Sequence, residues 1–69
     1  MKLINAINKL KKNGWEIQDS KGSYIASKED VTIRFFVNHG SDNCSSFAYD
    51  SDLQCAPTYG LSLKKAMSY

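Results

Sequence analysis

Sixty-nine residues with nine Lys+Arg, seven Asp+Glu and a net charge of +2 describe one small, near-neutral domain, residues 1–69. A chain this short buries only roughly 60% of its unfolded surface, and its core contributes about 3–5 kcal/mol. That excludes a separate cofactor fold beside a buried catalytic cleft. Hydrophobic and aromatic contents of 42% and 12% exclude disorder as well.

The charge is unevenly placed. Residues 1–12 hold Lys2, Lys9, Lys11 and Lys12 with no acid, and residues 13–58 hold all seven acids against Lys21, Lys28 and Arg34. Lys64 and Lys65 return positive charge near the end. Two basic segments thus flank an acidic centre, which bears on partners and not on fold. Asn5, Asn8 and Lys9 interrupt the N-terminal apolar residues, so no signal-peptide core is expected. No apolar run approaches the ~20 residues that span a bilayer. A cytoplasmic chain is expected, with Cys44 and Cys55 as free thiols.

Leu3, Ile4, Ile7 and Leu10 recur at helical spacing and predict an amphipathic helix over residues 2–12. Asn13-Gly14 supplies its left-handed stop. Alternation over Trp15–Asp19 predicts a first strand, followed by a turn at Ser20–Ser23 and a short second strand at Tyr24–Ser27. After a polar turn, Val31–Val37 alternates strictly: Val31, Ile33, Phe35 and Val37 share one face, and Thr32, Arg34 and Phe36 share the other. An apolar Phe36 on the otherwise polar face suggests a homodimer contact. Residues 38–43 read as loop, Cys44–Tyr49 as a fourth strand, and 50–60 as irregular. Leu61–Tyr69 reads as a short helix with Ser62 as N-cap. The expected fold is therefore α+β, a helix, a three- or four-stranded antiparallel sheet and a short helix (α-β-β-β-α). Both helices should lie on one face.

Few residues here suit catalysis. His39 is the only histidine, and Ser41 beside it would need a third group to orient the imidazole. His39, Cys44 and Cys55 lack the close pairing and the fourth ligand of a structural zinc site, so no metal is expected. Asp50-x-Asp52-x-Gln54 opens like a calcium loop but then has Cys55 where Gly belongs and Leu61 where Glu belongs. The glycines are isolated, so no phosphate-cradling loop exists. No cofactor is expected, and an enzyme is not favoured.

Two surfaces could serve binding. Lys9, Lys12, Lys21, Lys64 and Lys65 could contact nucleic-acid phosphates, although solvated helix faces account for the same lysines. Asp42, Tyr49, Asp50, Asp52 and Tyr59 combine carboxylates with rings, a mixture suited to a basic protein surface. Solubilising loop acids beside core aromatics account for that set too.

The run Lys11-Lys12-Asn13-Gly14-Trp15-Glu16-Ile17, then Lys21-Gly22-Ser23-Tyr24, Val31-Thr32-Ile33 and His39-Gly40, resembles the HicA family of toxin ribonucleases. The match covers under half the chain. It implies a double-stranded-RNA-binding-like fold and contact with RNA. The family's active histidine follows Gly-Ser, and that place is Tyr24 in this chain. A phenol with an ordinary pKa near 10 is a poor base at neutral pH, so the resemblance supports the fold and weakens the enzyme. Asp50-x-Asp52 followed by Tyr59-Gly60-x-Ser62-Leu63-Lys64-Lys65-Ala66 looks more like small accessory proteins of phages and mobile elements, and the compact build is similar to anti-CRISPR proteins. The expected function is a non-enzymatic inhibitor that binds a host protein or ribonucleoprotein complex. The alternative is a HicA-type RNA-binding or ribonuclease toxin.

Overall fold

The computed structural model of the protein describes residues 1–20, 22–38, 40–52 and 56–68. Leu3–Lys12 forms helix α1, with Ala6 and Leu10 buried on the predicted stripe. Its end is closed by backbone bonds: Gly14 N–H donates to Lys11 C=O at 3.1 Å and Trp15 N–H to Leu10 C=O at 3.0 Å. Gly14 stands at φ +90°. This is the Schellman arrangement, which satisfies carbonyls that a helix end otherwise leaves bare and packs the following residue against the last turn. Trp15 is that residue, and it is buried with Leu10 in one core.

No side chain caps the start of α1. Leu3 N–H donates instead to Asp42 C=O at 2.7 Å, and Cys44 N–H donates to Met1 C=O at 2.7 Å. The loop before the fourth strand therefore holds the helix start. Asn38 N–H to Asn43 C=O at 2.8 Å closes that loop on itself.

The strands are β1 (Glu16–Ser20), β2 (Ser23–Lys28), β3 (Val31–Phe36), β4 (Phe47–Ser51) and β5 (Thr58–Leu61), and helix α2 is Leu63–Ser68. They form a five-stranded antiparallel sheet in chain order. The α+β class and the helix–sheet–helix order are as expected, but the strand count is larger than three or four. β5 lies in the segment read as irregular, because Gly60 interrupts any alternation there. β4 starts at Phe47 and not Cys44. Leu61 belongs to β5, and α2 begins after Ser62, whose Oγ accepts from Lys65 N–H at 3.3 Å as an N-cap.

Register sorts the side chains. Tyr24 pairs with Phe35 and Phe35 with Phe47; Ala26 pairs with Ile33 and Ile33 with Tyr49. These rows face the helices. Ala26, Ile33, Phe35 and Phe47 share one buried cluster with Ala6 and Leu10 of α1 and with Leu63 and Ala66 of α2. Both helices therefore cover the same face. Phe35 sits at its centre, 5.7 Å from the Tyr24 ring and 5.0 Å from the Phe47 ring. Among the described residues no helix lies on the opposite face.

The β4–β5 ladder contains a bulge. Phe47 pairs with Leu61 and Tyr49 with Thr58, so Tyr59 and Gly60 together stand opposite Ala48. Gly60 takes φ +72° there, and an added Cβ would meet nothing within 4 Å. The cost of Gly60→Ala is then conformational, about 1–2 kcal/mol, or a fall in Tm of roughly 4–15 °C for a domain this small. Thermal unfolding checks it, and an unchanged Tm would remove the bulge from this account.

Candidate functional site

The uncovered sheet face is built from the residues between the core positions. Ser23 pairs with Phe36, Ile25 with Arg34, Arg34 with Ala48, and Thr32 with Asp50. A polar face is the usual outcome where one side of an antiparallel sheet meets water. Here Phe36 is 58% exposed and Tyr59 73% exposed. The bulge directs Tyr59 outward, as bulges commonly re-aim a side chain. Thr32, Arg34, Ala48, Asp50, Pro57 and Tyr59 together line a shallow depression. Arg34 and Asp50 are exposed, and neither makes an ion pair with another described residue.

The charge pattern follows from the topology. β1 starts, β2 ends, β3 starts and β4 ends at the same edge of the sheet. Glu16, Glu29, Asp30, Asp50 and Asp52 all lie at that end, and all are exposed. Asp52 N–H donates to Asp30 C=O at 3.3 Å, which brings those two residues together. The local base Lys28 shares a pocket wall with Glu16 and Glu29, and its Nζ donates to Asn13 C=O at 3.0 Å and lies 5.9 Å from the Trp15 ring centroid.

The five predicted protein-contact residues do not form one patch. Asp50 and Tyr59 meet at the depression, with Asp52 just beyond the end of β4. Asp42 lies in the loop before β4, at the opposite end of that strand, where its carbonyl holds α1. Tyr49 is 8% exposed and faces the core, since it neighbours Asp50 on a strand and so points the other way. Burial takes Tyr49 out of the exposed set. Thr32, Arg34 and Pro57 were not among the predicted site residues; the alternation of β3 placed Thr32 and Arg34 beside Phe36, but nothing in the sequence paired them with Asp50.

Of the predicted nucleic-acid contacts, Lys9, Lys12, Lys64 and Lys65 are exposed on the two helices. Lys9 and Lys64 line one cleft between α1 and α2, with Ser45 and Ser62 also on its wall. Lys21, like His39 and Cys55, lies outside the described residues. Tyr24 is half-buried and stacks on Phe35. Among the described residues no group of His, Cys, Asp and Glu is placed to hold a metal, and no helix is long and apolar enough to cross a membrane.

Cys44 is 1% exposed. Burial pushes its thiol above the ordinary value of 9.0; the N-terminal ammonium opposes that, and Asp42 adds to it. The folded chain thus keeps its proton where the unfolded chain loses it. Ionisation of Cys44 therefore leaves stability unchanged well below pH 9.0 and lowers it as pH rises past that value. Urea titrations of wild type and Cys44→Ala across that range should diverge, with wild type losing more. Parallel curves would contradict the burial of this thiol.

Comparison with known protein families, with curated proteins and with solved structures returned no match for this chain.

Proposed function

We propose that this chain is a non-enzymatic binding protein of the small phage or mobile-element kind. It acts in the cytoplasm, captures a host protein or ribonucleoprotein complex, and inhibits it in the manner of anti-CRISPR proteins. The uncovered sheet face is the capture surface. The observation that carries this reading is the pair of exposed rings, Phe36 and Tyr59, standing on strands around Arg34 and Asp50, neither of which is ion-paired to a described residue. Rings held on strands lose little freedom when they are covered, and they are enriched among the residues that dominate interface energy. The acids at one end add steering toward a basic partner.

The test is a pull-down from the natural host with wild type and with Phe36→Ser/Tyr59→Ala. Both positions are exposed, so the double variant should fold and lose capture. Capture at wild-type level by the folded variant would sink the assignment.

A second reading is favoured by the cleft that Lys9 and Lys64 share. As a HicA-type RNA-binding protein, the chain would present α1 and α2 to the phosphates. It would shift duplex RNA in a salt-dependent way, and growth arrest on expression would mark the toxin form.

A further inference from the structure

We infer that the depression between β3, β4 and β5 receives an arginine side chain from the captured partner. This rests on the sheet face being the capture surface, and it names the group that surface recognises. Three features of the depression fit a guanidinium. Asp50 offers a carboxylate without an ion pair to any described residue, and a carboxylate matches the forked guanidinium with two parallel hydrogen bonds. Tyr59, 73% exposed, offers a ring face on which a planar cation stacks. Ala48 and Pro57 supply apolar contact for the stem, and the Thr32 side chain lies beside Asp50 in register.

Arg34 bears directly on this assignment. It lines the same depression, paired with Ala48 two positions along the strands from Thr32–Asp50 toward Phe36. It repels a second cation from that side. Asp52 and Asp30 lie toward the other end, where Lys28 is held by Asn13 and Trp15. The incoming guanidinium is thus drawn from the acidic end and seated against Asp50, with Arg34 marking the far limit of the slot. A carboxylate ligand would instead be drawn to Arg34 and repelled by Asp50, so variants of these two residues separate the alternatives by sign.

The experiment is a titration of the isotope-labelled chain, followed by backbone amide shifts, with acetyl-Gly-Arg-Gly-amide. Peptides with citrulline, lysine or glutamate in place of arginine serve as comparisons. The arginine peptide should move the amides of Thr32, Ala48, Asp50 and Tyr59 together. Citrulline should not, and lysine should bind more weakly. Asp50→Asn should weaken binding about tenfold, Tyr59→Ala should weaken it as well, and Arg34→Ala should strengthen it. The amide spectrum of each variant reports its fold in the same experiment. Scattered shifts, equal binding of the citrulline peptide, tighter binding of the glutamate peptide, or an Asp50→Asn variant that binds as wild type would each overturn the assignment. If the peptide fails while Phe36→Ser/Tyr59→Ala still abolishes host capture, the pocket assignment alone is lost. If that double variant captures normally, the capture surface itself is wrong.

Discussion

Phe35→Ala should leave the chain unfolded at room temperature. The side chain is fully buried near the end of β3, between the rings of Tyr24 and Phe47. Truncating a buried phenylalanine costs about 3–5 kcal/mol, part from lost burial and part from the cavity left behind. A core of this size contributes about the same amount in total. Far-ultraviolet circular dichroism and urea titration check the outcome. A cooperative transition with a loss below about 1.5 kcal/mol would mean that the Phe35 row is not the centre of the core.

Asp50→Arg should abolish partner capture while leaving the fold intact. Asp50 is exposed and makes no ion pair with a described residue, so its loss should alter stability by no more than about 0.5 kcal/mol. At the proposed interface the change removes the attractive charge and adds a cation beside Arg34. Losing one partner of an interfacial charge pair costs about 2–5 kcal/mol, and repulsion adds to that. Capture should therefore fall about a hundredfold or more. The comparison is made by surface plasmon resonance against the captured complex, with unchanged thermal unfolding as the control. A folded Asp50→Arg variant with wild-type affinity would refute the role of this carboxylate.

Local patterns made much of the scaffold legible. Periodicity set α1, Asn13-Gly14 set its stop, and strict alternation set β3 with Phe36 on the outer face. Ser62 announced the start of α2. Each of these signals lies within a few residues of what it determines. β5 had no such signal: Thr58–Leu61 is short, contains Gly60, and is held by pairing to β4 across a bulge. The start of β4 was obscured for the same reason. Cys44 is buried as a strand residue would be, but it is fixed by backbone bonding to Met1.

The candidate site was partly legible. Asp50 and Tyr59 were among the aromatic and acidic residues picked out, and the topology brings them together. Alternation alone separates Tyr49 from Asp50, since adjacent strand residues face opposite ways. Asp42 required the tertiary structure, because its place beside α1 depends on contact between segments some forty residues apart. The juxtaposition of Arg34 with Asp50 is likewise a matter of strand register. The charge partition changes meaning in three dimensions too: the lysines at both ends of the chain become one helical layer, and five acids gather at one end of the sheet.

The central claim is that the uncovered sheet face, and not the lysine-bearing helices, meets the partner. Amide hydrogen exchange of the chain, free and bound to the complex it captures from the host, tests this most directly. The account predicts new protection across β3, β4 and β5, around Arg34, Phe36, Asp50 and Tyr59, with α1 and α2 unchanged. Protection centred on Lys9, Lys12, Lys64 and Lys65, with the sheet face unaltered, would contradict it.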